Sequence, residues 1–191
     1  GATAEPDSLC QLETDTNLTG NLCPWAGKMV GTTAFCARRR LPSHQVVIAQ
    51  IDTGFMLDHP ALQGRLVSDG IDLSGDGRAN AAYDTRQRGA TYWHATAVAS
   101  VLAGNTDENV KILPYKVVRF GTDTCAASAV LAAMEDAVAK GARVLNMSLS
   151  TSQNRAGFAA MMDKAAALGV AVCCSAGNAG AQIGRASCRE R

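Results

Sequence analysis

The sequence lacks long apolar segments and a strong charge of either sign. No run of about 18 or more apolar residues occurs in the chain, so we expect no membrane-spanning helix. The net charge of +1 gives no electrostatic reason to expect nucleic acid or an anionic membrane surface as a partner. A hydrophobic content of 47% against 18% charged residues is typical of one globular domain with a sizeable core.

The usual motifs of nucleotide-binding and zinc sites are also missing. Neither G-x-G-x-x-G nor G-x-x-x-x-G-K-[ST] occurs, which disfavours a nucleotide-binding α/β domain. No C-x-x-C pair occurs and the three histidines are scattered, so a zinc site is the weaker interpretation of the cysteines.

Seven cysteines are present, an odd number that cannot all pair within one chain. We interpret Cys173 and Cys174, which lie in an apolar segment, as small buried hydrophobic residues. Cys10, Cys23 and Cys36 lie in a polar segment, where disulfides formed in an oxidising compartment are the favoured interpretation. This pattern favours a secreted or otherwise extracytoplasmic protein.

Composition divides the chain into three regions. Residues 1–44 form a polar, irregular, cysteine-containing leader with several glycine and proline breakers. Residues 45–181 carry the apolar segments of a folded domain. Residues 182–191 contain three arginines without apolar periodicity or turn chemistry, and we interpret them as a tail that is not native to the protein. A short exposed extension is the alternative.

Short apolar segments alternate with helical patterns in the middle region. The segments 46–51, 112–118, 143–149 and 170–175 are continuous and apolar, as strands buried on both faces are. Helical spacing relates Val98, Val101 and Leu102, and again Val130, Met134, Ala137 and Val138. Residues 156–169 are rich in Ala and Met and end at Gly169. This alternation predicts a three-layer α/β fold, in which helices cover both faces of a mostly parallel sheet.

Two polar residues, Asp52 and Asn178, follow predicted strands, and a third, His94, begins a predicted helix. Asp52 follows the first strand, where a buried carboxylate needs donors to keep its charge. His94 opens a helical pattern, whose positive end favours the neutral imidazole that accepts protons. Asn178 follows the last strand and carries an amide donor suited to an oxyanion. Taken singly, each is also explained by a structural role.

Four segments, in this order, resemble the subtilisin-like serine peptidases, or subtilases (peptidase S8 family). "VVIAQIDTGFMLDHPAL" is similar to the family's Asp motif, and "HATAVASVLAGN" is similar to its His motif. "GARVLNMSLS" resembles its substrate-binding strand, and "GVAVCCSAGNAG" resembles its oxyanion Asn motif. The resemblance implies the subtilase α/β fold and a serine endopeptidase that acts on peptide or protein substrates.

The resemblance also implies a role for each matching residue. Asp52 would orient the imidazole of His94 and stabilise its protonated form. His94 would act as general base and then as general acid, and Asn178 would donate to the oxyanion. The implied substrate-binding residues are Ser148, Leu149 and Ser150, on an edge that pairs with an extended peptide, and Ala176 and Gly177, in the pocket.

The chain departs from the family's pattern near the histidine. The family's His is usually followed by Gly-Thr-His, whereas Ala95 and Ala97 stand at the first and third of these positions. Ala95 adds a methyl group where the backbone is expected to need freedom. Ala97 removes a histidine of the family pattern.

Metal binding is not supported by the resemblance. At Ala61 many relatives have an Asp that helps to bind calcium, so calcium is not expected there, and we expect no other metal or cofactor. One oxygen-rich loop is formed by Asp69, Asp72, Asp76 and Asn80. A solvated loop is favoured over a metal site for these residues.

No segment resembles the Gly-Thr-Ser-type motif in which the family carries its nucleophilic serine. Ser187 lies in the terminal residues that we interpret as non-native, and it is not a candidate. We therefore expect an incomplete catalytic domain, an inactive fragment of an active serine endopeptidase. The alternatives are a pseudoenzyme or binding domain with the same fold and, from another class, a nucleotide-binding domain with Asp52 on a metal or ribose.

Overall fold

The computed structural model describes residues 9–12, 44–83, 93–150 and 156–175. The strands are β1 (Leu9–Leu12), β2 (Val46–Asp52), β3 (Ile71–Asp72), β4 (Val110–Lys116), β5 (Thr124–Ala126), β6 (Val144–Met147), β7 (Leu149–Ser150) and β8 (Ala171–Cys174). The helices are α1 (His94–Gly104), α2 (Ala127–Ala139) and α3 (Ala156–Ala167), with a short 3-10 helix at Pro60–Leu62. Within these ranges, no helix has both the length and the apolar character needed to cross a bilayer.

A five-stranded parallel sheet forms the centre of the fold, in the order β3-β4-β2-β6-β8. β2 lies in the middle and pairs with β4 on one side and β6 on the other. Its last five residues, from Ile48 to Asp52, are all buried, as the continuous apolar segment predicts. The chain crosses from β4 to β6 over β2, so the strand order reverses at the carboxyl end of β2, where α/β sheets form a cleft.

Helices cover both faces of this sheet. On one face, Leu113 and Leu145 form an apolar cluster with Met134 of α2 and Met161 of α3. On the other face, Ile112 lies in a second cluster with alanines of α1. The neighbouring residues Ile112 and Leu113 thus contact opposite layers, as the period of two in a strand requires. The predicted three-layer α/β fold with a mostly parallel sheet is confirmed.

A second, antiparallel sheet has the order β5-β1-β7. The predicted strand 143–149 divides at this point, because β6 ends at Met147 and β7 leaves the parallel sheet to pair with β1. β1 belongs to the leader, which we expected to be irregular throughout. Pairing with distant strands gives regular structure to a segment whose own composition predicts none.

The helix α1 is confirmed, but the face that it buries differs from the predicted one. Ala95, Ala99 and Ala103 are buried, whereas Val101 is 52% exposed. These alanines recur every fourth residue and therefore lie on one face of the helix. Their small side chains allow the helix to lie close to the sheet.

The burial of the cysteines in β8 also differs from the prediction. Cys173 is exposed and Cys174 is half-buried, whereas we expected both to be buried. β8 is the edge strand of the described parallel sheet, and its side chains alternate between exposed and half-buried. An edge strand has a neighbour on one side only, so an apolar sequence alone does not ensure its burial.

Candidate active site

Asp52 and His94 meet at the carboxyl end of the central strand. Asp52 is the last residue of β2, and His94 is the first residue of α1. Asp52 Oδ1 lies 2.7 Å from His94 Nδ1, and the two residues are 0% and 6% exposed. The structure thus brings these two predicted site residues into direct contact, while their catalytic roles stay predictions.

The carboxylate of Asp52 accepts hydrogen bonds from within the protein. The backbone N–H of Thr53 donates to Oδ1 at 2.6 Å, and the side-chain amide of Gln50 donates to Oδ2 at 3.3 Å. A charge that loses its hydration needs such donors, because the protein interior has a low dielectric constant. Each carboxylate oxygen therefore has a donor, as a buried carboxylate requires.

Gln50 and Thr53 also bind the first turn of α1. Gln50 Nε2 donates to the carbonyl oxygen of Ala95 at 2.9 Å, and the Thr53 hydroxyl accepts from the Ala95 N–H at 3.0 Å. That N–H belongs to the first turn of the helix, where no preceding turn can provide an acceptor. The same two residues therefore position both Asp52 and the helix that carries His94. Gln50 is not among the predicted site residues, although a polar residue inside an apolar strand is a signal that could have indicated it.

Backbone groups of the loop after Asp52 form hydrogen bonds with α1 and with the segment around Tyr83. The N–H of Met56 donates to the Thr96 hydroxyl at 2.9 Å, and the Tyr83 N–H donates to the Phe55 carbonyl at 2.9 Å. A Cβ atom at Gly54 would lie 2.4 Å from the Cα of Tyr83. The Asp-Thr-Gly triplet therefore requires glycine because another backbone segment approaches closely.

The methyl group of Ala95 is accommodated without strain. Ala95 lies in regular helix, is fully buried and packs in a cluster with Phe55 and Ile112. Among the described residues, only glycines have positive φ angles. The expectation that this position needs the freedom of glycine is therefore wrong, because the helix keeps ordinary backbone angles there.

The contact between Asp52 and His94 is suited to proton transfer. In the tautomer with hydrogen on Nδ1, the ring donates to Asp52 and the lone pair of Nε2 is the proton acceptor. When the ring takes up a second proton, the adjacent carboxylate stabilises the positive charge. Such a pair can activate a hydroxyl nucleophile placed at Nε2.

The predicted peptide-binding edge lies beside the chain's own leader strand. Leu149 and Ser150 form β7, and Ser148 connects them to the end of β6. β7 pairs with β1 in antiparallel fashion. The hydroxyl of Ser175 donates to the Leu149 carbonyl at 3.1 Å and links this edge to the segment after β8.

The remaining predicted site residues, Ala176, Gly177 and Asn178, lie outside the described residues. The strand that precedes them, β8, is parallel to β2, so its carboxyl end lies at the same edge of the sheet as Asp52. After β8, the Ser175 N–H donates to the Met147 carbonyl at 3.1 Å. The roles of the three residues stay predictions.

Two carboxylates of the predicted oxygen-rich loop, Asp72 at the end of β3 and Asp76 after it, bind a lysine ammonium group. Lys116 Nζ lies 2.5 Å from Asp76 Oδ2 and 3.4 Å from Asp72 Oδ1, and the Lys116 and Asp72 side chains are each 1% exposed. Burial alone would raise the pKa of Asp76, but hydrogen bonds from Lys116 and the Phe120 N–H hold that pKa below its ordinary value. The expectation of a solvated loop is wrong for these two carboxylates, because they neutralise a buried cation.

The residues present do not fit a calcium site at Ala61. A methyl group provides no oxygen ligand, and calcium in proteins requires several. Over the described ranges, no group of three or more His, Cys, Asp or Glu side chains is placed to hold a metal ion.

Comparison with known proteins identifies a matching family and similar solved structures. The model of the subtilase family matches residues 43–188. No curated protein matches the chain. Among solved structures, a lanthipeptide protease matches 70% of this chain and 39% of its own length, at 28% identity and a TM-score of 0.56.

Two further solved structures share the fold at lower identity. The epidermin leader peptide processing serine protease of Staphylococcus aureus matches 91% of this chain, at 20% identity and a TM-score of 0.60. A chain of the subtilase cytotoxin SubAB assembly matches 84% of it, at 18% identity and a TM-score of 0.65. The present chain spans 47% and 52% of these two proteins.

Proposed function

The chain belongs to the subtilase family, and we propose that it supplies the Asp and His of a serine endopeptidase whose nucleophilic serine is not part of the present sequence. The observation that carries this proposal is the buried contact of 2.7 Å between Asp52 Oδ1 and His94 Nδ1, at the carboxyl end of the central strand. In this proposal the chain alone is inactive, because no segment of its sequence resembles the motif that carries the family's nucleophilic serine.

Each residue has a defined part in the proposed reaction. The serine oxygen forms a bond to the carbonyl carbon of the substrate while its proton passes to His94 Nε2. Asp52 stabilises the resulting imidazolium, and the amide of Asn178 donates to the oxyanion. His94 then gives the proton to the leaving amine, and water releases the acyl group by the same steps.

The proposed substrate is an extended segment of a peptide or protein. Ser148, Leu149 and Ser150 would bind its backbone by strand addition, and Ala176 and Gly177 would line the pocket beside the scissile bond. Support comes from β7, which pairs in antiparallel fashion with an extended segment of the chain itself. We place the reaction in an extracytoplasmic compartment, in keeping with the cysteines of the leader.

The proposal predicts that the full-length protein reacts with a fluorophosphonate probe, which labels activated serines. The variant Asp52→Asn should lower kcat for peptide hydrolysis by about 10⁴-fold, because the imidazole loses its orienting charge. Asp58→Asn is the matched control, since Asp58 is exposed and should leave kcat unchanged. A folded, mature full-length protein that neither reacts with the probe nor cleaves peptides would overturn the peptidase assignment; peptide binding without labelling would identify a pseudoenzyme.

A further inference from the structure

The leader strand β1 is the central strand of the second sheet. On one side, Leu12 pairs with Leu149 and Gln11 with Ser150, so β1 covers the edge of β7. On the other side it pairs with β5. A segment far away in the sequence therefore occupies the space between two strands of the domain.

The register places two cysteines directly opposite each other. Cys10 of β1 is the partner of Cys125 of β5, between the pairs Leu9–Ala126 and Gln11–Thr124. Opposite residues of an antiparallel pair have Cα atoms roughly 4.5–5.5 Å apart. A disulfide joins Cα atoms about 4.4–6.8 Å apart, so this register is compatible with a bond between the two sulfur atoms.

We propose that Cys10 and Cys125 form a disulfide that holds the leader strand between β5 and β7. The bond forms by exchange with an acceptor disulfide of a low-molecular-weight or protein thiol oxidant. The two thiols lose two protons and two electrons as their S–S bond forms. The S–S bond of the acceptor breaks and takes up the same protons and electrons, which gives two thiols.

The other described cysteines are placed less well to pair with Cys10. Cys173 and Cys174 lie in β8, at the edge of the parallel sheet, whereas β1 belongs to the antiparallel sheet. Cys125 is 3% exposed, so a disulfide at this position is protected from reductants in solution.

The disulfide has a consequence for peptide binding, and this consequence rests on the proposed function. A tethered β1 competes for the edge of β7 at a high effective concentration, because its binding is intramolecular. A peptide substrate that pairs with Leu149 and Ser150 must displace it. Reduction of the bond should therefore make the edge of β7 easier for a substrate to reach.

Peptide mapping without reduction tests the disulfide independently of any activity. Cleavage after glutamate yields residues 6–13, or 1–13 if the Glu5–Pro6 bond is not cut, and in both peptides Cys10 is the only cysteine. It also yields residues 109–135, in which Cys125 is the only cysteine. For the chain produced in an oxidising compartment and alkylated before digestion, we expect the Cys10 peptide and the Cys125 peptide to be linked. The link should disappear in Cys10→Ser and persist in the matched control Cys23→Ser. Recovery of Cys10 as an alkylated thiol, or linked to another cysteine, would overturn the proposal.

Hydrogen exchange tests whether the bond holds the strand in place. Reduction should accelerate exchange of the backbone amides of β1 and β7 at least tenfold in the wild-type chain and in Cys23→Ser, and leave Cys10→Ser unchanged. Alkylation of Cys10 and Cys125 after the treatment verifies that the bond has been reduced. A protein that is reduced by this criterion but shows unchanged exchange would contradict the holding role. Failure of the peptidase assignment would appear only in the probe labelling of the full-length protein, so the two failures are distinguishable.

Discussion

The contact between Asp52 and His94 depends on neighbours that take no part in proton transfer. Gln50 binds both the Asp52 carboxylate and the Ala95 carbonyl, and Thr53 binds the same two residues through its own N–H and hydroxyl. All of these groups are buried, so water cannot replace a lost partner. The relative position of the Asp52 carboxylate and the His94 imidazole therefore depends on a small network of buried hydrogen bonds.

The substitution Gln50→Met should lower the free energy of unfolding by about 1–3 kcal/mol, because Asp52 Oδ2 and the Ala95 carbonyl would each lose a donor. Urea unfolding at neutral pH measures this change. Gln63→Met is the matched control, since Gln63 is exposed. Equal stabilities of the two variants would show that the network contributes nothing.

The substitution Gly54→Ala should destabilise the protein by about 1–3 kcal/mol, because the new methyl group would overlap the backbone of Tyr83. Gly157→Ala provides the contrast: its Cβ would meet only the end of the Leu131 side chain, at 3.2 Å, and alanine favours a helix. Thermal unfolding should therefore show a lower Tm for Gly54→Ala than for Gly157→Ala. The reverse order would contradict the close backbone approach.

At the scale of elements, the helix α1 is fixed at both ends. Its first turn is bound by the residues around Asp52, and its last turn is bound by the guanidinium of Arg65. Arg65 Nη1 donates to the Ala103 carbonyl at 2.5 Å, and Nη2 donates to the Thr106 hydroxyl at 2.6 Å and to the Val110 carbonyl at 3.1 Å. A cation is favourable at a helix carboxyl end, where the last carbonyls have no helical partner.

The substitution Arg65→Lys should lower the free energy of unfolding by about 2 kcal/mol, because one ammonium group cannot form all the hydrogen bonds that the two Nη atoms of Arg65 donate. Arg119→Lys is the control, since the Arg119 side chain is 65% exposed and should change stability by less than about 0.5 kcal/mol. Chemical denaturation of both variants under the same conditions provides the comparison. An equally small effect at Arg65 would mean that the hydrogen bonds of its guanidinium do not stabilise the end of α1.

At the scale of the whole molecule, acidic side chains with lowered pKa values join distant parts of the fold. Lys116 at the end of β4 holds the pKa of Asp76 below its ordinary value, although burial opposes this effect. In α2, burial likewise opposes hydrogen bonds from Lys140 and Tyr115 that lower the pKa of Asp136. A carboxyl group whose pKa is lower in the folded state stabilises the fold above its unfolded pKa of about 3.9 and loses this contribution as pH falls through the folded value.

The free energy of unfolding should therefore decrease as the pH falls below about 4, by up to ~1.4 kcal/mol per pH unit for Asp76 and by less for Asp136, whose side chain is 39% exposed and therefore screened by solvent. Asp76→Asn should be less stable at neutral pH, because Lys116 keeps only Asp72 as a carboxylate partner, and its stability should fall less steeply in acid. Urea unfolding across this pH range measures both effects. Parallel curves for the variant and the wild type would contradict the assignment of a lowered pKa to Asp76.

Local periodicity and the position of polar residues after apolar ones predicted four of the five strands of the parallel sheet, the helices between them and the ends at which Asp52 and His94 lie. The two-residue strand β3 was not predicted, because it is too short to show a periodic pattern. The sequence could not determine the exposure of Val101 and Cys173, since burial depends on which surfaces meet. The sequence also did not predict that Asp72 and Asp76 bind Lys116, or that Gln50 binds Asp52.

The position of the leader strand β1 between β5 and β7, with Cys10 opposite Cys125, is evident only from the tertiary structure. The tertiary structure likewise places the Asp52 carboxylate within hydrogen-bond distance of the imidazole of His94. Both arrangements join residues distant in the sequence, and such pairing depends on the complete packing of the chain, which local patterns do not encode.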